Sequence, residues 1–345
     1  SANMDRRAQM DGTDFEGVTA FDDRITGTAW GVFQTLDGVR VRGADNGSIT
    51  SASGYFHIDP VGHHGCTAQI TDDVCVNSGA QSTDADRPLR FSPNHQRNIL
   101  GEVDRMNVFG TLEHDLDDNF VAFAELAYYE SRYKGMREQA AALGAAPIIV
   151  SKTNYWNPFG AMYLPDGSLN PNRLAGIDAP EEGLDVRMTS FRATDTSRPY
   201  TVDDDQYRFL AGVRGMVGGF DWEGAVLYSE ANTTDTQHGS ISSTLFTEAL
   251  AWSTPDAYNP FHGGNLADWG APPDSARNQA AIDHFTVPVV RKSKATLFQV
   301  DTRFIREDLF ALPAGHVGVA FGAEWRRETL KDDRDPRFDG TITYT

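Results

Sequence analysis

Four absences narrow what this 345-residue chain can be. It contains no run of about eighteen apolar residues, so transmembrane helices are excluded. A β-barrel escapes that exclusion, because only every second residue of its strands meets lipid. Basic residues are scarce: 30 Lys and Arg against 49 Asp and Glu give a net charge of −19. Nucleic acid is therefore not an expected partner, since phosphate binding needs clustered Lys and Arg; a self-repelling acidic surface explains the charge as well as any function does. No GxSxG, HExxH, phosphate-binding glycine loop or dinucleotide fingerprint occurs, so the chain does not read as an enzyme. The opening SANMDRRAQM holds no charged-then-apolar leader and is read as the start of a mature or internal portion.

Cysteine is also rare. The two present, Cys66 and Cys75, fall in HHGCTAQITDDVC. A close pair in a polar loop reads most simply as a disulfide, which implies an oxidising compartment or the cell exterior. The competing reading is a metal site made from His57, His63, His64 and the two thiols. Cys-x8-Cys is unlike zinc spacing, so neither metal nor other cofactor is expected there. Paired acids such as Glu181 and Glu182, or the run Asp203, Asp204 and Asp205, read as solvated loop charges. Calcium is the one cation the acidic loops suggest, because hard cations prefer clustered carboxylates, but the EF-hand order is missing.

What the sequence does have is alternation. In GHVGVAFGAEWRRE, Val317, Val319, Phe321, Ala323 and Trp325 form one row, and small then charged residues form the other. A period of two over so many residues argues for a strand longer than the roughly 5–6 residues usual in soluble domains, and of the 9–11 or more needed to cross a membrane. The same grammar recurs in three hairpins. Met106, Val108, Gly110 and Leu112 precede the turn HDLDDN, and Phe120, Ala122, Ala124, Leu126 and Tyr128 follow it. Tyr207, Phe209, Ala211 and Val213 return through Trp222, Gly224, Val226 and Tyr228; Phe298, Val300, Thr302 and Phe304 return through the opening stretch. On the opposite rows stand Glu125, Arg208, Arg214, Asp301, Arg303, Glu324 and Arg326.

The connections decide between a soluble sandwich and a membrane wall. Turns at 114–119, 218–221 and 307–315 are short, whereas the gaps at 135–203 and 235–292 are long. Short turns at one end and long loops at the other are the pattern of transmembrane barrels. The expected fold is therefore all-β: part of an antiparallel transmembrane β-barrel with short periplasmic turns and long extracellular loops. Residues 1–94 read as weakly defined strands and a Cys-containing loop at the barrel start, and 95–345 as the hairpins. Inside the loops a short echo appears, YWNPFG at 155–160 and YNPFHGG at 258–264, whose Asn-Pro and Gly are turn chemistry.

The strand AGHVGVAFGAEWRRETLKDDRDP, the hairpin YRFLAGVRGMVGGFDWEGAVLYSEANTT and the NPFG-type turns resemble the barrel of TonB-dependent outer-membrane receptors, over roughly residues 20–345. The resemblance implies energy-coupled uptake of a scarce nutrient, such as a siderophore or oligosaccharide, across a bacterial outer membrane. It implies as partners a plug domain, the TonB energy-transducing complex, and outer-membrane lipid and lipopolysaccharide. Such barrels have 22 strands, so this chain reads as an internal part of a receptor.

On this view the seven wall charges face a plug or a hydrated lumen, pairing with plug residues as the plainer account. Ligand recognition falls to the loops, with Tyr155, Trp156, Phe159, Trp252, Tyr258, Phe261, His262 and Trp269 as candidate contacts; folding the loops onto one another is the plainer role for the aromatics. Alternatives are a passive porin-like channel, a soluble secreted β-sandwich that binds glycans, and a hydrolase on the same scaffold.

Overall fold

The computed structural model describes residues 1–11, 28–82, 84–90, 97–138, 148–194, 197–271 and 275–336. Parts of the expected loops (139–147, 195–196 and 272–274) and of the expected barrel (12–27, 91–96 and 337–345) lie outside the described residues. Strands dominate. In chain order they are β1 (Ala2–Arg7), β2 (Met10–Asp11), β3 (Val32–Thr35), β4 (Tyr55–Pro60), β5 (Cys66–Gln69), β6 (Val74–Ser78) and β7 (Asn98–Leu100). There follow β8 (Glu102–Asp115), β9 (Phe120–Arg137), β10 (Ile148–Val150), β11 (Val186–Ser190), β12 (Arg198–Val217), β13 (Phe220–Ile241), β14 (Thr286–Leu312) and β15 (Gly315–Asp333). Two short helices, α1 (Ser243–Ala249) and α2 (Gln279–Phe285), lie between β13 and β14.

The long strands form one antiparallel sheet in the order β1-β8-β9-β12-β13-β14-β15. Its edges are β1 and β15, so the seven strands make an open sheet and not a closed barrel. Strand lengths of 14, 18, 20, 22, 27 and 19 residues from β8 to β15 far exceed those of ordinary globular strands. Register is what gives the alternation meaning, because a one-residue slip would send every side chain to the other face. The pairing aligns Leu112, Ala124, Ala211, Val226, Val300 and Trp325 in one row across six strands. The rows of all three hairpins thus lie on one common face.

The boundaries differ from the sequence expectation where the chain leaves the sheet. The strands run further, with β9 reaching Arg137, β12 starting at Arg198, β13 ending at Ile241 and β14 starting at Thr286. The run Asp203–Asp205 therefore sits inside β12 and not in a loop. The third turn is also shorter than 307–315: β14 continues to Leu312, with a register irregularity between Arg306 and Phe310, and only two residues separate it from β15.

The long connections are not loose. The described residues within 28–90, 148–194 and 241–286 combine into a second module around a six-stranded sheet ordered β10-β11-β3-β4-β6-β5. Its core is aromatic: Phe33 stacks on Phe56 at 5.3 Å, Phe56 meets Phe159 edge-on at 5.1 Å, and Phe261 lies 5.0 Å from Phe33. Phe246 of α1 packs on Phe285 of α2 at 4.8 Å and joins Tyr258. Burying each such ring contributes roughly 1.5–3 kcal/mol, which offsets the ordering of three long segments.

The Asn-Pro-Phe echo has one local cause. Asn157 Oδ1 accepts the Phe159 N–H and Asn259 Oδ1 accepts the Phe261 N–H, both at 2.9 Å. Each asparagine thus closes a tight turn on itself, and each turn drives its phenylalanine onto Phe56, with Phe261 also reaching Phe33.

Candidate functional site

Three groups of residues bear on function. The first is the polar face of the large sheet. All seven expected wall charges share it, since each lies an odd number of residues from the apolar-row residue of its own strand. Four are paired with cross-strand carboxylates or guanidiniums: Arg208 donates to Glu125 at 2.8 Å, Arg214 to Glu113 at 2.7 Å and Arg303 to Glu223 at 2.8 Å. Arg326 lies between Glu324 and Glu328 at 3.7 and 3.5 Å. Asp301 accepts from Gln299 at 3.3 Å. The charges are thus largely satisfied within the sheet.

The second group is the loop aromatics, which the structure gathers into the module. Phe159, Tyr258 and Phe261 are no more than 1% exposed and present no ring face to a ligand. The Tyr258 hydroxyl donates to the Ala193 carbonyl at 2.5 Å, a bond that fixes the ring inside. Trp156, Trp252 and Trp269 are half-buried against the core. Trp156 Nε1 donates to the Ala257 carbonyl at 3.0 Å, Tyr155 packs edge-on against Trp156 at 4.9 Å, and Trp252 lies 4.9 Å from His284. His262 is buried. Their contacts spread over the module: Trp156 ties 148–194 to 241–286, Phe159 and Phe261 pack on Phe56, and Trp269 reaches Trp30 and His63.

The third group was only partly foreseen. β4 places His57 and Asp59 two apart, hence on one face, and the turn after it presents His63 and His64. Asp86 arrives from the segment beyond β6. One ligand atom each from Asp59, His63, His64 and Asp86 lies within 4.8 Å of every other, and this is the group of metal-ligating type found among the described residues. His64 Nε2 stands 2.8 Å from Asp86 Oδ1, and His63 Nδ1 stands 3.8 Å from both Asp59 Oδ1 and Asp86 Oδ1. Side chains of Asp59, Asp86 and His63 are 0, 2 and 7% exposed, while His64 at 38% forms the outer rim.

Local chemistry holds this arrangement. Asn77, opposite His57 on β6, donates to Asp59 Oδ2 at 3.0 Å and to the His64 carbonyl at 3.1 Å. Gly65 adopts φ +66°, and a Cβ there would stand 2.6 Å from Asn77 Nδ2, so only glycine lets the turn fold this close. Asp86 Oδ2 accepts the Ser82 N–H at 2.5 Å. His63 packs against His64 at 4.3 Å and against the edge of Trp269 at 5.0 Å, so the 241–286 segment covers the cluster. Trp269 is fixed in turn by its carbonyl, which accepts Trp30 Nε1 at 3.0 Å.

His57 stands behind the group. Its Nδ1 is 2.9 Å from the Gly79 carbonyl and donates to it, which turns Nε2 toward Asp59 Oδ2 at 3.5 Å and Asp86 Oδ2 at 4.0 Å. Burial works to lower the His57 pKa, but contact with Asp59, the bond to Gly79 and the two carboxylate charges outweigh it, and the net shift is upward. Burial works to raise the Asp59 pKa, but His57, Asn77 and His63 outweigh it and hold that carboxyl below its usual range.

Cys66 and Cys75 are joined in a disulfide with Cα atoms 5.8 Å apart, closing the β5–β6 hairpin directly after His64. The expected disulfide is therefore present, and its sulfurs are not available as thiolate ligands, which removes the competing metal reading built on them. Asp59 stands two residues from His57 on β4, a relation that alone does not single it out, and nothing local marks Asp86. The acidic run does not gather on a cation: Asp203 binds Arg132 at 2.5 Å, Asp204 accepts from Thr233 at 2.6 Å and Asp205 from Asn232 at 2.9 Å.

Compared with protein-family models, curated proteins and solved structures, the chain matches none of them.

Proposed function

We propose that the seven-stranded sheet is part of an outer-membrane β-barrel wall, and that the aromatic-cored module is its outward domain for ligand capture. The observation that carries this reading is a bounded apolar band. On one face the row Phe120, Gly215, Trp222, Phe304 and Phe321 lies next to the short turns. Eight residues along, the row runs Val108, Tyr128, Tyr207, Glu230, Thr296 and Thr329, apolar or aromatic on β8–β12 and already polar on β13–β15, and one step beyond it the face becomes Glu130, Asp205, Asn232, Lys294 and Lys331. Eight residues span roughly 27 Å along the strand, or roughly 19–22 Å across the membrane at the 35–45° tilt of barrel strands, just short of their girdle-flanked apolar band of about 25 Å.

That band is uncovered among the described residues: Leu126, Phe209 and Trp325 are 57, 48 and 58% exposed. A soluble sandwich would need a second layer over it, whereas lipid covers it in a barrel. The module joins the sheet at the end remote from the tight turns, as long outer loops do. A plug and the TonB complex would then energise passage of a scarce nutrient such as a siderophore or oligosaccharide, with lipopolysaccharide around the outer rim.

The test is fractionation of cells expressing the full reading frame around this segment. A heat-modifiable band in the outer membrane is expected. A soluble, heat-insensitive product would overturn the reading.

A further inference from the structure

We infer that Asp59, His63, His64 and Asp86 form a binding site for a single zinc-class divalent ion in the aromatic-cored module. The inference does not depend on the sheet lying in a membrane. Four donors set about 2.0–2.1 Å from a tetrahedral ion stand about 3.3 Å from one another. One donor atom from each of Asp59, His63, His64 and Asp86 lies within 4.8 Å of the others, with His64 Nε2 2.8 Å from Asp86 Oδ1 and His63 Nδ1 3.8 Å from both Asp59 Oδ1 and Asp86 Oδ1. Side-chain rotation that draws the wider pairs inward closes the site.

An independent observation points the same way. His57 Nε2, Asp59 Oδ1 and His63 Nδ1 are buried and make no hydrogen bond. Buried polar atoms are nearly always satisfied, and an orphan costs about 1–3 kcal/mol, more when charged. Here several orphans face one another around one point. A dication supplies what they lack, and its charge matches the two buried carboxylates.

The donor set selects the ion. Two imidazoles and two carboxylates suit Zn2+ and its first-row neighbours, while Ca2+ and Mg2+ take oxygen ligands almost exclusively. Four protein ligands leave no open position on a tetrahedral ion, which is the arrangement of structural rather than catalytic zinc. His57 is the outer-shell partner, oriented by Gly79 and facing Asp59, in the carboxylate-histidine relation that commonly surrounds metal ligands. The ion would fasten the turn after β4 and the Asp86 segment together beneath Trp269.

The experiment is titration of the intact, detergent-purified chain with Zn2+ in competition with a chromophoric chelator, followed by Co2+ absorption. One equivalent bound, with the intense visible bands of tetrahedral cobalt, is expected. His64→Ala, whose side chain is at the rim, should weaken binding by on the order of 100-fold or more, and His57→Gln by about 10–100-fold. His284→Ala, which removes a histidine paired with Glu248 elsewhere on the module, should leave binding unchanged. Circular dichroism of each variant separates lost ligation from lost folding. No stoichiometric Zn2+ uptake by the unaltered chain, preference for Ca2+, or equal loss in His284→Ala would overturn the inference.

Discussion

His64 and Asp86 face each other at 2.8 Å across the whole β5–β6 hairpin, which the chain must complete between them. The disulfide at Cys66 and Cys75 is the clamp on that hairpin. Opening it frees the segment that carries both imidazoles of the turn.

Replacing both cysteines by serine should therefore cost about 2–3 kcal/mol, the chain-entropy value for so short a closed loop. Hydrogen exchange should locate the loss in β5, β6 and the preceding turn, with the long sheet unaffected. Denaturant unfolding of the oxidised and serine forms measures the magnitude.

If the His-Asp group takes its ion, stripping that ion should loosen the same region. At Zn2+ about a hundred times its Kd, linkage contributes about 2.7 kcal/mol to the module. Chelator treatment should lower the melting temperature and open residues 61–65 and 82–90 to protease. Adding back Zn2+, and not Mg2+, should restore both.

Phe159 and Phe261 reach the same ring, Phe56, from separate segments. Phe159→Ala or Phe261→Ala should each destabilise the module by about 3–5 kcal/mol. The double variant should lose less or more than the sum by about 0.5–3 kcal/mol, because both contacts share Phe56. Tryptophan fluorescence during denaturant unfolding reads this, since Trp156, Trp252 and Trp269 pack on that core.

The two faces of β14 give an internal comparison. Val300 belongs to the apolar row and Gln299 to the other face. Val300→Arg should hinder folding into lipid vesicles by about 2–4 kcal/mol, the cost of a cation near the bilayer midplane. Gln299→Arg should fold almost normally. Equal effects of the two substitutions, judged by heat-dependent gel mobility, would count against a membrane wall.

Much of the large sheet was legible because its signal is local. Alternation is written into consecutive residues, and the hydrophobic pattern fixes register, so rows such as Val226 and Val300 meet as their faces require. Strand ends were less legible. Asp203, Asp204 and Asp205 look like a loop by composition, yet cross-strand partners on β9 and β13 keep them extended. The module was hidden for a different reason: its pairings are remote, Thr35 with Val186 for example, and no local pattern announces them. At the candidate site the histidines and the cysteine bridge could be named from sequence. The carboxylates could not be chosen among 49 acids, because only the fold brings Asp86 back to His64.

Asn154 has one further implication. Its amide donates to the carbonyls of Leu250 at 3.0 Å and Tyr258 at 3.1 Å, while Asn157 donates to Leu184 and Ser151. Two excursions of the chain, around 148–194 and 241–286, are thereby tied together through the backbone. Neither can be exchanged as a cassette: grafting one onto a foreign scaffold would strand its phenylalanine and leave the Asn154 amide without its acceptors. Variation in such a domain must proceed by coordinated change in both excursions, or be confined to exposed positions such as His64.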